Sequence, residues 1–342
     1  MQGTFKAMQV SQTGKLELVE RPIPVLQDGE VLLAVEACGI CGADAMTVEN
    51  TNPEKFPRIP GHEVVGRIIA LHKNCSNYWE VGQRVGIGRL GGHCNQCNEC
   101  RQGLFNLCNN QPVVGSTHDG GYAEMMIAKE TGLVAIPDEL SSIEAAPLLC
   151  AGIATFNALK KSGAQAGDLV AILGIGGLGH LAIQYARKMG FKVVAIGRGQ
   201  DITEQTKKLG AHIYIDTNLD NGVEKLQQLG KVRTILTTIT NGEISSSLFS
   251  CLEPKGKLIV VGVGKEPLII PSTALVGGER IVQGTITGTP YEIERTLDFS
   301  VLSETRAMVE IFPFEQAQQA YSRMKSGQAQ FRVVLTISPL SN

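Results

Sequence analysis

The chain has 342 residues, 43% of them hydrophobic, and its 31 basic and 33 acidic residues leave a formal net charge of −2. This length suits two domains, and the balanced charge gives no basic excess that could hold a nucleic-acid backbone. No apolar run predicts a membrane span, and the first residues lack the apolar core of a secretory signal. We therefore expect a cytoplasmic protein that binds neither nucleic acid nor membrane. In a reducing compartment its nine cysteines favour metal ligation over disulfides.

Three separate segments each offer one good zinc ligand. Cys41 lies in a glycine-rich turn, with Asp44 three residues later. His62 stands beside Glu63, and Cys150 ends an apolar segment. Two thiolates and one imidazole form a set that leaves a fourth position open for water or substrate, as in catalytic zinc sites. A nearby carboxylate can orient and polarise such a ligand.

A second cluster of cysteines follows at about residues 91–110. Its spacing is C-x2-C-x2-C-x7-C, and its members are Cys94, Cys97, Cys100 and Cys108. Four thiolates in a polar segment with little apolar filling predict a closed tetrahedral zinc site. An iron–sulfur cluster is possible on ligand type alone, but zinc better suits a structural staple. With four protein ligands this site has no open position for chemistry.

From Gly167 onward the sequence alternates buried strands with helices, which is the pattern of a parallel α/β domain. An apolar strand ending at Leu173 is followed by the motif G-x-G-x-x-G, an amphipathic helix and a second strand. This context predicts a dinucleotide site, because the glycines let the backbone approach a pyrophosphate at a helix N-terminus. The predicted residues are Gly174, Gly176, Gly177, Leu178 and Gly179, with Val261 and Gly262 after a later strand.

The end of the second strand distinguishes the two nicotinamide cofactors. An acidic residue there would bind the ribose hydroxyls of NAD, but this chain has Arg198 between two glycines. An arginine can lie against an adenosine 2′-phosphate, so we favour NADP(H) over NAD(H). In the alternative, Arg198 is solvated and Asp201 reaches back to the ribose.

At this point the chain resembles the zinc-containing medium-chain alcohol dehydrogenases, in the branch with yeast-type and cinnamyl-alcohol-type enzymes. The resemblance rests on six motifs in order: G-I-C-G-A-D, P-G-H-E-V-V-G, the four-cysteine lobe, D-G-G-Y-A-E, L-L-C-A-G and G-I-G-G-L-G. It implies an α/β fold in which a GroES-like β-rich catalytic domain is combined with a doubly wound parallel-sheet Rossmann domain. The expected boundaries are 1–149, 150–288 for the Rossmann domain, and 289–342 for the return to the catalytic domain.

The resemblance also implies the roles of the site residues and the cofactors. Cys41, His62 and Cys150 would hold a catalytic zinc, with Asp44 supporting the histidine and Glu63 beside or on the metal. Together with the four-cysteine site this makes two zinc ions per chain. The implied reaction is hydride transfer between NAD(P) and a primary or benzylic alcohol or aldehyde. The implied assembly is a homodimer or homotetramer, joined through the edge strand near Ile281–Ile286.

The chain departs from the family pattern where the proton relay is usually found. Ala43 replaces a Ser or Thr, Met46 replaces a histidine, and Ala154 replaces a Thr near the nicotinamide. The alcohol proton could pass directly to water, or Thr47 or Thr155 could take over the relay. A second hypothesis is an NADPH-dependent reductase of conjugated C=C or iminium substrates, and a third is an inert nucleotide-binding protein. For an apolar substrate lining we expect Met46, Leu90, Leu275 and Val276.

Overall fold

The computed structural model describes residues 3–338 and divides into two compact units. Unit 1 contains the residues up to Ile153 and those from Gly288 onward, and unit 2 runs from Ala154 to Thr287. The first break thus falls after residue 153, where the sequence predicted 149, and the second after 287, where it predicted 288. Cys150, expected at the start of the Rossmann domain, consequently belongs to unit 1.

The N-terminal part of unit 1 consists mainly of strands. They are β1 (Thr4–Gln12), β2 (Lys15–Pro22), β3 (Glu30–Ile40), β4 (Val64–Leu71), β5 (Arg84–Ile87), β6 (Met125–Lys129) and β7 (Leu133–Ala135). The helices of this part are short: α1 (Ala45–Val48), α2 (Asn98–Arg101) and α3 (Ser142–Ala145). Helix α4 (Ala151–Lys161) begins directly after Cys150.

Unit 2 is built on a six-stranded parallel sheet. Its strands are β8 (Leu169–Leu173), β9 (Lys192–Gly197), β10 (Ile213–Asp216), β11 (Val232–Thr237), β12 (Leu252–Val260) and β13 (Ile281–Gly284). Its helices are α5 (Gly179–Lys188), α6 (Thr203–Lys208), α7 (Gly222–Leu229), α8 (Gly242–Ser247) and α9 (Ser272–Val276). The order β10-β9-β8-β11-β12-β13 is the doubly wound order of a Rossmann domain, as predicted.

The chain then returns to unit 1 through α10 (Pro290–Leu302), β14 (Val309–Pro313), α11 (Ala317–Lys325) and β15 (Arg332–Thr336). Strand β15 pairs antiparallel with β3, and a seven-stranded sheet of order β14-β15-β3-β4-β5-β7 results, with β6 also on β3. Strand β3 is therefore the centre of unit 1. Its nearly continuous apolar run is buried on both faces, and it leads directly into the turn that carries Cys41.

No single helix within residues 3–338 is long and apolar enough to cross a membrane. The bent pair Ser142–Leu149 and Ala151–Lys161 reaches that threshold on length and composition alone. Most side chains of this pair are buried inside the protein, as expected for core helices.

Candidate functional site

A buried carboxylate organises the first cluster of predicted ligands. Asp44, only 2% exposed, lies in a 3₁₀ turn directly after Cys41. Its Oδ2 accepts hydrogen bonds from the backbone N–H of Cys41 and the hydroxyl of Tyr122, each at 2.9 Å. Its Oδ1 lies 2.8 Å from Nδ1 of His62. This contact fixes the imidazole ring and directs Nε2 away from the carboxylate.

The ligand atoms of this cluster have the spacing that zinc requires. The sulfurs of Cys41 and Cys150 lie 3.9 Å apart, close to the edge of about 3.8 Å that a tetrahedron has when each Zn–S bond is about 2.3 Å. Atoms of Cys41, His62, Glu63 and Cys150 all lie within 4.8 Å of one another. Nε2 of His62 is buried and has no hydrogen-bond partner among residues 3–338. A buried polar atom of this kind needs a partner, and a metal ion fits it.

The electrostatics of this cluster also favour a cation. The hydrogen bond with the neighbouring Cys150 thiol holds the pKa of Cys41 well below its usual value. The pKa of Cys150 is raised well above its usual value by the same contact and by burial. Burial lowers the pKa of His62, but Asp44 and Cys41 outweigh it and raise the pKa to about 10. Thiolate and carboxylate therefore stabilise positive charge between them.

Glu63 is held by a residue that the motifs did not reveal. Both of its oxygens contact Nη2 of Arg332 in β15, with Oε2 at 2.6 Å. Burial raises the pKa of Glu63 to about 7, against the opposing effect of Arg332. A Cβ on Gly39 would lie 1.9 Å from Oε2 of Glu63, so only glycine leaves room for this carboxylate. The sequence signal for Arg332 was a single cation in an otherwise apolar strand.

Tyr122 was quoted in a motif but not assigned to the site. Its ring is fully buried and packs against Gly61, whose added Cβ would lie 2.4 Å from the ring. Gly61 also has a φ of +98°, a conformation that favours glycine. Glycine is therefore required at position 61 for two reasons, its positive φ and its close packing on Tyr122, and this conformation brings His62 beside Asp44.

The four predicted lobe cysteines also come together. The separations between their sulfurs are 4.0 Å for Cys94 and Cys100, 3.9 Å for Cys97 and Cys108, and 3.6 Å for Cys94 and Cys108. These values match the edges of a tetrahedral four-sulfur zinc site and exceed the disulfide bond length of about 2.05 Å. The Asn110 side chain and two backbone N–H groups donate to Cys94 and lower its pKa to about 6. The lobe could hold a second metal ion.

The glycine motif of unit 2 forms the turn between β8 and α5. Gly174 has a φ of +91°, and a Cβ there would lie 2.6 Å from side-chain atoms of Ile239 and Thr238. A Cβ on Gly179 would lie 1.9 Å from the carbonyl oxygen of Gly174. Gly176 has open space around its Cα. This arrangement leaves the N-terminus of α5, next to Leu178 and Gly177, able to receive a phosphate.

The other predicted nucleotide residues follow neighbouring strands of the same sheet. Val261 and Gly262 follow β12, and a Cβ on Gly262 would lie 2.3 Å from the carbonyl oxygen of Ile239. Arg198 follows β9, is exposed, and has no hydrogen bond or ion pair with the part of the chain that the structure describes. Asp216 accepts a hydrogen bond from the Gly199 backbone at 2.8 Å, so this carboxylate holds the loop.

The structure argues against Thr47 as a substitute for the missing relay. The Thr47 hydroxyl is buried and donates to the carbonyl oxygen of Gly115 at 2.6 Å. Its proton is therefore committed to the backbone.

The residues predicted for an apolar substrate lining differ in exposure. Met46 is 59% exposed and Val276 is 78% exposed, whereas Leu90 and Leu275 are partly buried.

Comparison with known proteins agrees with this geometry. Residues 27–138 match the alcohol dehydrogenase GroES-like domain, and residues 177–301 match the zinc-binding dehydrogenase family. Alcohol dehydrogenase notN of Aspergillus sp. is 38% identical over 98% of both chains. The chain belongs to the zinc-containing medium-chain alcohol dehydrogenase family.

Two further similar proteins are reductases of carbonyl compounds. Aldehyde reductase AdhA of Synechocystis is 35% identical over 95% of this chain and 96% of its own length. Acetophenone reductase from Geotrichum candidum, solved in complex with NAD, is 25% identical, with a TM-score of 0.85 over 97% of both chains. This medium-chain dehydrogenase is accordingly an oxidoreductase of alcohols and aldehydes.

Replacement of Asp44 by asparagine tests how the candidate metal ligands are positioned. Asp44→Asn keeps the size of the side chain but removes one acceptor oxygen and the negative charge. We expect zinc affinity at the Cys41–His62–Cys150 site to fall about 10- to 100-fold. Competition with a chelator, followed by zinc analysis of the recovered protein, measures this affinity.

Two controls make this test specific. Asp119→Asn removes a carboxylate that binds Arg58 at 2.9 Å, and it should leave both zinc affinities unchanged. Cys100→Ser should remove zinc from the lobe only. Equal zinc affinities in the Asp44→Asn variant and the wild type would contradict the role of Asp44.

Proposed function

We propose that this chain is a zinc-dependent NADP(H) oxidoreductase that interconverts primary or benzylic alcohols and aldehydes. The single observation that carries this proposal is the ligand set of Cys41, His62 and Cys150, in which the buried Nε2 of the histidine lacks a hydrogen-bond partner in the described part of the chain. Three ligands leave a fourth position for the substrate oxygen. A zinc ion bound there would supply Lewis-acid chemistry, lowering the pKa of an alcohol and polarising a carbonyl.

The protein residues prepare this chemistry through charge and position. Asp44 fixes the imidazole of His62 and stabilises positive charge on that side of the site. Arg332 balances the carboxylate of Glu63, which we propose as a nearby fourth ligand when substrate is absent. With Ala43 in place of a hydroxyl residue and Thr47 bonded to Gly115, we propose that the proton leaves to water.

We propose that the four-cysteine lobe holds a second, structural zinc. Its support is the set of sulfur separations, 3.6 to 4.0 Å, and the N–H groups that favour thiolate at Cys94. All four positions are taken by protein ligands, so this metal would stabilise the loop and take no part in the reaction. The proposed stoichiometry is two zinc ions per chain.

A metal-dependent turnover assay with cinnamaldehyde tests the main proposal. We expect NADPH-dependent reduction of the carbonyl to cinnamyl alcohol, and reduction of benzaldehyde to benzyl alcohol. Removal of zinc should abolish both activities, and added zinc should restore them. Product analysis by chromatography identifies which bond is reduced.

The same assay separates the competing hypotheses. Saturation of the C=C bond would support the alternative reductase, which the missing relay at Ala43 and Met46 suggested. No turnover with either nicotinamide across a panel of saturated, unsaturated and benzylic aldehydes, in zinc-replete protein, would support an inert nucleotide-binding protein.

We propose that Arg198 gives a preference for NADP(H). This arginine is exposed at the end of β9 and lacks an ionic partner in the described chain, so its guanidinium is available to a 2′-phosphate. Arg198→Asp should lower kcat/KM for NADPH by about 10- to 100-fold, because charge-assisted hydrogen bonds are lost and like charges repel. The value for NADH should change little, and initial-rate kinetics with each cofactor measure both.

Lys208→Asp is the matched control for Arg198, since it reverses a charge at the end of α6 in the same unit. It should leave the cofactor ratio unchanged. An unaltered ratio in Arg198→Asp would instead favour recognition of the ribose by Asp201.

We propose a homodimer or homotetramer joined through β13. This strand lies at the edge of the six-stranded sheet and exposes Ile281 and Val282 to the extent of 42% and 37%. Unpaired apolar edge strands are templates for pairing with another chain.

Val282→Asp should shift the protein to monomers in light scattering after gel filtration, whereas Leu219→Asp, at another exposed apolar site of unit 2, should not. An unchanged mass for Val282→Asp would contradict this interface.

We propose a cytoplasmic location. All nine cysteines are unpaired thiols, which suits a reducing compartment. Six of them belong to the two proposed zinc sites, whose thiolates need that environment to remain ligands.

A further inference from the structure

Arg89 lies just beyond the end of β5, which pairs with the strand that follows the proposed metal ligand His62. Strands β4 and β5 are antiparallel, and Val64 at the start of β4 is opposite Ile87 at the end of β5. His62 precedes Val64 by two residues, and Arg89 follows Ile87 by two residues. The regular pairing ends there, because the carbonyl oxygen of Arg89 accepts a hydrogen bond from the backbone N–H of Val114 at 3.0 Å. Arg89 and His62 therefore lie at the same end of the β4–β5 pair without being paired to each other.

Two contacts tie Arg89 to the segments that carry the other two ligands. The preceding residue, Gly88, packs so closely that an added Cβ would lie 2.6 Å from the carbonyl oxygen of Leu149, next to Cys150. Nη2 of Arg89 lies 3.4 Å from Sδ of Met46, on the helix that follows Cys41. Arg89 thus contacts the segment that carries Cys41 and follows a residue packed against the segment that carries Cys150, at the same end of the β4–β5 pair as His62.

The charge of Arg89 is not balanced by the described part of the chain. The side chain is half-buried, and among the described residues it donates a hydrogen bond only to the thioether sulfur of Met46, a weak acceptor. It forms no ion pair with the residues that the structure describes, whereas Arg58 and Arg332 each bind a carboxylate. A guanidinium remains protonated in proteins, so its unused donors can bind an oxyanion with two parallel hydrogen bonds.

We propose that Arg89 selects substrates that carry a carboxylate in addition to the reacting alcohol or aldehyde group. This inference rests on the proposed function, and it names the substrate class of that same site. The aldehyde carbon accepts the hydride of NADPH, the aldehyde oxygen gains a proton, and the carboxylate stays unchanged on Arg89. The competing explanation is that Arg89 only covers Met46 with its apolar stem.

The substrate pair for the test differs only in charge. We would compare 4-formylbenzoate with 4-formylbenzamide, which have nearly the same shape, using zinc-loaded protein with NADP bound for titration calorimetry and with NADPH for kinetics. In the wild type the acid should bind about 10- to 100-fold more tightly than the amide, as expected for a charge-assisted bidentate pair. The kcat/KM values should differ in the same direction.

Substitutions of Arg89 should act on the acid alone. Arg89→Leu should remove the preference for the acid and change binding of the amide less than about three-fold, because the amide does not engage the charge. Arg89→Lys keeps the charge without the planar fork, so it should retain part of the preference. Arg295→Leu removes an exposed arginine of the same unit and should have no effect.

The outcomes separate this inference from the proposed function. Equal binding of acid and amide to the wild type would overturn the role of Arg89, as would equal losses for both compounds in Arg89→Leu. Turnover of the amide tests the dehydrogenase function independently of Arg89. A protein that binds the acid through Arg89 but reduces neither compound would retain the oxyanion site and refute the proposed reaction.

Discussion

The buried carboxylate of Asp44 needs hydrogen-bond donors, and this need shapes the proposed metal site. Burial of a charged group is costly unless donors surround it, and Asp44 meets this demand with groups from three segments. It receives the backbone N–H of Cys41, the imidazole of His62 and the hydroxyl of Tyr122. Those three segments are far apart in sequence. The arrangement that satisfies this carboxylate is also the arrangement that brings a sulfur and an imidazole nitrogen together, so folding and ligand placement share one cause.

The same electrostatic logic distinguishes the two proposed metal sites. At the first, Cys41 and Asp44 provide negative charge, while Arg332 offsets only Glu63. A cation with one open position completes this balance. At the lobe, four sulfurs and surrounding N–H groups form a closed shell, which suits a metal that stabilises a loop with little apolar core. The open coordination position, more than the type of ligand, distinguishes the proposed catalytic metal site from the proposed structural one.

Local patterns predicted much of the fold and most of the candidate site. The glycine motif between β8 and α5, the parallel sheet and the cysteine spacing are properties of short segments, so they were readable in the sequence. Arg332 was not predicted, because it reaches Glu63 only through the pairing of β15 with β3, which joins residues nearly 300 positions apart. The break after residue 153 differs from the predicted one for a similar reason: Cys150 lies 3.9 Å from Cys41, more than 100 positions earlier, and so belongs to unit 1.

Met46, where the chain departs from the family pattern, and Arg89 are best understood together. A histidine at position 46 would present a titratable ring to the guanidinium, and its protonated form would repel it. Methionine instead offers a flexible, uncharged sulfur that contacts Nη2 at 3.4 Å without neutralising it. Loss of the relay histidine is therefore compatible with retention of an unbalanced cation close to the ligand-bearing segments. On this interpretation, the methionine at position 46 affects which substrates the site attracts and leaves the proposed metal ligands unchanged.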